Sequence, residues 1–524
     1  MHSFPRSSGI LCHVTSLPGR GGVGDLGEGA YRFVDWLVRA GQGIWQVLPL
    51  GPPGYGESPY QSYSAFAGNP LLVGPDRLTD EGGVSAETPE FPAEGKSDRV
   101  DFERIRPLRA AVLHQAFLTF RKAGPTALRA EFDEFRQEQN WWLEDYSVFA
   151  ALKAAHGGCA WTEWETPLVE RQPAVLRAWS SRLAENVEEE AFYQFQFHRQ
   201  WRNLKEYANA RDVRLMGDLP IFVAHDSADV WVHQDLFHLD TSGGPLLVAG
   251  VPPDYFSAAG QFWGNPLYRW DRMAQDGFAW WRQRLRHALA QFDLVRLDHF
   301  RGFEAFWEVP AAAGTAAAGR WVAGPGPAFF RQLTGALGRL PLVAEDLGVI
   351  TPAVDALRDE FGFPGMRILQ FAFGDDPKGP DYRPHNYPRN CVVYTGTHDN
   401  DTTAGWFHSR AGEGTTRTAA QIARERETTL RYLGTDGHDI SWDLIRLALA
   451  SVADTAIVPM QDILGLGTSA RMNLPGTAAG NWRWRLTADL ATELADRLGD
   501  LSAIYDRCAS APTSPLSEKP SRCC

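Results

Sequence analysis

Four short apolar runs in this 524-residue chain each end in a carboxylic acid. The acids are Asp218 in Gly-Asp-Leu-Pro, Asp298 in Arg-Leu-Asp-His-Phe, Glu345 in Ala-Glu-Asp-Leu-Gly and Asp399 in Thr-His-Asp-Asn-Asp. Any one of them could simply cap a following helix. Four at matching positions point instead to one shared site. Residues two apart on a strand face the same way, so Arg296 and Asp298 point into the same space. A guanidinium beside a carboxylate keeps it ionised at neutral pH, as a nucleophile requires, although the pair alone could also be purely structural. His398, next to Asp399, reads equally as a satisfied loop histidine or as a neutral donor to hydroxyl groups. Aromatic residues make up 12% of the chain, and Trp (19) outnumbers Tyr (14). Paired acids among aromatic rings, with no cofactor motif, suggest glycosidic chemistry: one carboxylate attacks, another protonates the leaving oxygen, and rings stack on sugar faces.

Such acids need rigid elements beneath them. Eight nearly continuous apolar runs read as strands buried on both faces: 9–16, 43–50, 213–223, 293–300, 342–348, 366–372, 391–399 and 456–463. Helical patterns fall between most of them, at 26–40, 275–291, 326–339, 352–361 and 417–433. Eight strand–helix units predict an α/β fold, a (β/α)8 barrel with its active site at the strands' C-terminal ends. The spacing divides the chain into a barrel start (1–59), an inserted, mainly helical subdomain (60–210) and the rest of the barrel (211–507). Within the insertion, helices are expected at 104–122, 126–139, 141–155 and 173–205. Residues 224–274, rich in Pro, Gly and aromatics, form a second excursion, and 508–524 reads as a disordered tail.

Composition excludes several classes of partner. With 51 basic against 64 acidic residues the net charge is −13, which argues against nucleic acid and anionic membranes, since both need a basic footprint. No stretch approaches 18 uninterrupted apolar residues. Six cysteines lack the spacing of a disulfide framework or zinc site, and no signal-peptide pattern opens the chain, so a cytoplasmic protein is expected. Asp218, Asp254, Asp399 and Asp401 lack calcium-loop spacing, so neither metal nor cofactor is expected, and no obligate protein partner is inferred.

Longer motifs make the chain recognisable. Ser-Gly-Ile-Leu-Cys-His-Val-Thr-Ser-Leu-Pro-Gly (8–19), Tyr-Gly-Glu-Ser-Pro-Tyr-Gln-Ser-Tyr (55–63), Gly-Asp-Leu-Pro-Ile-Phe-Val (217–223), Trp-Gly-Asn-Pro-Leu-Tyr (263–268), Arg-Leu-Asp-His-Phe-Arg-Gly-Phe (296–303), Tyr-Thr-Gly-Thr-His-Asp-Asn-Asp-Thr (394–402) and Arg-Met-Asn-Leu-Pro-Gly (471–476) resemble the amylomaltases. These are the 4-α-glucanotransferases of glycoside hydrolase family 77, relatives of the α-amylases. The resemblance runs from about residue 7 to 507, with Val14 standing where the family often has Pro. It implies Asp298 as nucleophile, Glu345 as general acid/base and Asp399 as the carboxylate that stabilises the distorted sugar. Arg296 and His398 would support them. Asp218 would be a further active-site acid, Tyr60 a stacking platform at the donor sugar, and Asn473 and Trp263 binding residues. The implied ligands are α-1,4-glucans and maltooligosaccharides, and no C-terminal β-domain is expected.

Other readings are weaker. Gly19-Arg-Gly21-Gly-Val-Gly24 formally matches a dinucleotide fingerprint, but no Asp or Glu occurs between Asp35 and Glu57 to hold a ribose. A non-catalytic carbohydrate-binding barrel would have lost an acid. The live alternative is an α-1,4-glucan hydrolase on the same fold, differing only in the acceptor. The stretch Gly250 to Asn265, with Tyr255, Phe256 and Trp263 between glycines, suits a hinged lid over bound glucan, the plain alternative being a packed loop.

Overall fold

The computed structural model describes residues 5–80, 97–253, 260–412, 417–477 and 479–508. Its strands are β1 (Ser7–Leu11), β2 (Ile44–Gln46), β3 (Arg214–Leu219), β4 (Leu247–Val251), β5 (Gln261–Pro266), β6 (Leu294–Leu297), β7 (Ala305–Pro310), β8 (Arg320–Ala323), β9 (Leu342–Ala344), β10 (Gly365–Ile368), β11 (Cys391–Tyr394) and β12 (Thr455–Pro459). Eight of them close a barrel in the order β1-β12-β11-β10-β9-β6-β3-β2, every neighbour parallel. Each of the eight predicted apolar runs supplies one barrel strand. The register sets Asp218 beside Arg296 across β3 and β6, and Arg296 beside Val343 of β9, which brings the acid-bearing strand ends side by side.

Helices pack outside this ring for the expected reason. In Glu28–Arg39 the buried residues Ala30, Phe33, Val34 and Leu37 recur at helical spacing and form one apolar face, with Glu28 and Arg39 placed favourably for the helix dipole. Gly217 shows how closely the layers approach: a Cβ there would lie 2.3 Å from the Phe292 ring, so β3 meets its outer layer only because residue 217 has no side chain.

The long stretch between β2 and β3 contains helices Phe102–Ala123, Thr126–Glu138, Asn140–Ala155, Pro173–Arg182 and Ala184–Asn209. The single helix expected over 173–205 is in fact two, broken at Leu183, whose ψ of 18° leaves the helical range. Helix 184–209 packs on β3 and on the helices 28–39 and 279–291, so it serves as the crossover into β3. Two of its buried glutamines hold the chain that leaves β2. Gln194 pairs both amide atoms with the backbone of Gly68, and Gln200 does the same with Gly74. A further tie is the buried Arg109–Asp25 ion pair at 2.5 Å.

The structure adds a sheet that the sequence reading lacks. Strands β5-β4-β7-β8 form a four-stranded antiparallel sheet, β4 and β5 from the β3–β6 link and β7 and β8 from the β6–β9 link. β5 and β7 mix buried with partly exposed residues and β8 has no buried residue, so a search for runs buried on both faces passes over them. The tail expected from 508 onward lies, after Cys508, outside the described residues.

Candidate active site

Asp298 and Glu345 each sit one residue beyond a barrel strand and still belong to the ladder. The Asp298 N–H donates to Leu219 O at 3.0 Å, and the Glu345 N–H to Leu297 O at 3.1 Å. Their backbones are therefore fixed by the barrel itself. Immediately after Asp298 the chain turns through His299 in a left-handed conformation (φ 51°). That turn aims the His299 N–H at Glu345 Oε2, 2.7 Å away, while Leu347 N–H donates to Oε1 at 2.9 Å. Both carboxyl oxygens are thus held by backbone.

One nitrogen organises the other acids. Arg296 Nη1 donates to Asp218 Oδ1 and Oδ2 at 2.9 and 2.7 Å and to Asp298 Oδ1 at 2.9 Å. The Asp218 side chain is 0% exposed, whereas that of Asp298 is 26% exposed, so only Asp298 can meet a ligand. Asp218 also accepts a hydrogen bond from Tyr60 Oη at 2.8 Å and so acts on the mouth through Arg296 and Tyr60.

The protonation states separate. Burial pushes Glu345 up to about 8, against the pull of Arg296 and with a push from Asp298, so it carries its proton at neutral pH. Burial raises Asp298 less far, to about 6, because the guanidinium at contact distance favours its charge against Asp218 and Asp399. One acid is ready to donate while its neighbour is ionised, as a proton donor and a nucleophile in one pocket must be.

Asp399 stands on the loop after β11. Enclosure opposes its charge, but His398, the Asn473 amide and Arg296 outweigh that and hold it well below the usual carboxylate range. Asn473 Nδ2 donates to its Oδ1 at 2.6 Å, and His398 Nε2 lies 3.4 Å from its Oδ2. Its side chain is nonetheless 46% exposed. Tyr60 stacks on His398 with ring centroids 5.2 Å apart and planes within 18°.

Among the described residues no cluster of three or more His, Cys, Asp or Glu is arranged to hold a metal ion. The glycine-rich stretch at 19–24 offers no phosphate cradle. At the start of helix 28–39 the Gly27 N–H already donates to Asp25 and the Glu28 N–H to Asp76.

The family model described as 4-alpha-glucanotransferase, glycoside hydrolase family 77, matches residues 12–491. The chain belongs to this family. It is 50% identical over 507 residues to a 4-alpha-glucanotransferase of Synechocystis, covering 96% of this chain and 98% of that one. A Thermus thermophilus 4-alpha-glucanotransferase is likewise 50% identical over 513 residues, covering 96% and 99%. A solved amylomaltase from Streptococcus agalactiae, in complex with acarbose, superposes with a TM-score of 0.90 at 37% identity, covering 96% of this chain and all of that one.

Against this 4-alpha-glucanotransferase framework, the residues singled out from sequence can be placed one by one. Tyr60, Asp218, Arg296, Asp298, His398, Asp399 and Asn473 are joined by the contacts above, and Glu345 lies within the electrostatic reach of Arg296 and Asp298. Trp263, on β5, lies edge-on to the His299 ring at 4.9 Å. Tyr255 and Phe256, expected to cover the site, lie outside the described residues. Sequence reasoning missed three contributors. The His299 amide is invisible because a backbone donor leaves no mark in residue type. Arg471, whose Nη2 donates to Asp399 O at 2.6 Å, stood in plain view two residues before Asn473. Trp482, near both Tyr60 and His398, was one of many tryptophans.

Proposed function

We infer that this chain is a 4-alpha-glucanotransferase that moves α-1,4-glucan segments from one maltooligosaccharide or glucan to another, or to glucose, through a covalent glucosyl-enzyme. One observation carries the reading. A chain half identical, over nearly its whole length, to 4-alpha-glucanotransferases sets Asp298 and Glu345 at neighbouring strand ends of one barrel mouth, where burial raises Glu345 above Asp298 and so favours a proton on the first and charge on the second.

The chemistry follows from those two states. Glu345 gives its proton to the glycosidic oxygen as Asp298 attacks the anomeric carbon, which breaks the glycosidic bond and forms a β-linked glucosyl ester on Asp298. A sugar 4-hydroxyl, deprotonated by Glu345, then displaces Asp298 and restores an α-1,4 bond. Two inversions give net retention. The bond made resembles the bond broken, so the exchange is nearly thermoneutral and needs neither nucleotide nor metal. Asp399, gripped by Asn473 and His398, holds the distorted sugar at the centre, and Tyr60 offers its ring to the donor sugar. We take the mouth to accept acarbose, as the Streptococcus agalactiae relative does. The unpaired cysteines Cys12 and Cys391, both buried, fit a reducing, cytoplasmic setting. Incubation with maltotriose alone tests the reading: longer maltooligosaccharides plus glucose are expected, whereas maltose and glucose alone would mean hydrolysis.

A further inference from the structure

We propose that Trp482 is a positioning residue for the transfer reaction: its ring, turned inward by a left-handed backbone, fixes the Tyr60–His398 stack and with it the sugar beside Asp399. The proposal rests on the transfer reading above.

Three rings from three separate loops meet here. Tyr60 follows β2, His398 follows β11 and Trp482 follows β12, so no secondary structure ties them together. The Trp482 ring lies 5.8 Å from Tyr60 and 5.9 Å from His398, tilted by 42° and 38°. Tyr60 and His398 stack on each other, and Trp482 touches both, which makes it the one ring able to set their common plane. Tilted and offset contacts of this kind are directional, because ring edges seek ring faces.

The backbone shows that the placement is specific. Trp482 has φ 64°, a region that side-chain-bearing residues enter only when the surroundings impose it. A tryptophan that merely filled the core would need no such strain. Here the surroundings are a closed clasp. Trp482 N–H donates to Met472 O at 2.7 Å, and Leu474 N–H donates to Asn481 Oδ1 at 3.0 Å, which ties the loop's end to its start. From that start Arg471 reaches the Asp399 carbonyl, Asn473 Nδ2 its carboxylate, and Asn473 N–H the His398 carbonyl at 3.0 Å. The same loop therefore grips Asp399 by hydrogen bonds and supports His398 by a ring. Displacing the ring should misalign both the stacking surface and the carboxylate that the sugar meets.

Glycine is the informative replacement, because it adopts this φ without strain and deletes only the ring. Trp482→Gly is expected to lower kcat/KM for maltotriose disproportionation about 10- to 100-fold, while Trp482→Phe keeps most of it. In a His398→Ala background the glycine change should cost clearly less than in the parent enzyme, since part of the ring's effect runs through that residue. A general loss of fold would instead multiply with the His398→Ala defect. Wild-type kinetics in Trp482→Gly, or fully multiplicative effects in the double variant, would overturn the proposal. Should the glycine variant not fold, Trp482→Leu against Trp482→Phe asks the same question at similar bulk, with equal kcat/KM the refuting result. A parent enzyme that fails to elongate maltotriose would defeat the transfer reading, whereas an active parent with indifferent variants defeats only this inference.

Discussion

The split between Glu345 and Asp298 makes the pH profile of kcat/KM a direct test of the site. In the mechanism proposed above, the productive enzyme has Glu345 protonated and Asp298 ionised. Acid removes it by protonating Asp298 near 6, and base removes it by ionising Glu345 near 8. With those two values, about 80% of the enzyme is productive at pH 7 and only about 10% at pH 5 or pH 9. A bell with limbs roughly a factor of 9 down at those extremes is the expected result. The assay is the initial rate of glucose release from maltotriose at concentrations far below KM, so that the free enzyme's groups are read. Glu345→Gln should flatten the alkaline limb of whatever activity remains, because no proton is left to lose there. The burial argument fails if the alkaline midpoint lies below pH 6, within the range of an ordinary exposed carboxylate, or if Glu345→Gln leaves that limb in place.

Asp298→Asn and Glu345→Gln should each leave the fold intact, checked by circular dichroism, and lower turnover by about 10²–10⁴-fold or more, whereas near-normal rates in Asp298→Asn would remove it as nucleophile. Dialysis against a strong chelator should leave activity unchanged, and a loss restored by calcium alone would contradict metal independence. Tyr255→Ala or Phe256→Ala should raise the ratio of hydrolysis to transfer, read as reducing ends released against maltooligosaccharides elongated, because the lid expected from sequence would keep water at ~55 M from the glucosyl-enzyme. An unchanged ratio in both variants would move acceptor preference to another part of the mouth.

What could be read from sequence follows the range of the forces involved. Barrel strands are buried on both faces, so each had to be a continuous apolar run, and all eight were visible. The alternation that sets Arg296 and Asp298 on one face is a local property of a strand, and the structure joins them at 2.9 Å. The antiparallel sheet was missed because its outer strands carry little burial: β7 pairs with β4 on one side and with β8 on the other, and β8 has no buried residue, a pattern shared with ordinary loops. Leu183 breaks its helix without a Pro or Gly to announce it. The glycine-rich match at 19–24 is set aside on sequence for want of a ribose-holding acid, and the structure adds a reason that residue types do not show: Asp25 and Asp76 already accept from the N–H groups of Gly27 and Glu28 at the helix start. The Tyr60–His398–Trp482 cluster depends on three loops meeting, which only the closed barrel determines.

The placement of charge explains why one buried arginine serves several acids. Arg296 faces Asp218 and Asp298, and Arg471 reaches the Asp399 backbone, so the three acids outnumber the two guanidinium groups at the mouth. Such a surplus would be costly in a structural pocket, but here it complements the positive, oxocarbenium-like centre that develops at the anomeric carbon. In the proposed mechanism the first chemical step leaves the charge of the site unchanged. Glu345 becomes negative by losing its proton at the moment Asp298 becomes neutral by forming an ester. No net charge enters or leaves a pocket where an unbalanced one would be expensive. The second step reverses the exchange. For this reason the proton must start on Glu345, and burial above the usual carboxylate range is part of the mechanism. His299 meets Glu345 through its backbone N–H, while burial and the nearby Arg301 hold its imidazole down at about 3 and so favour the neutral ring.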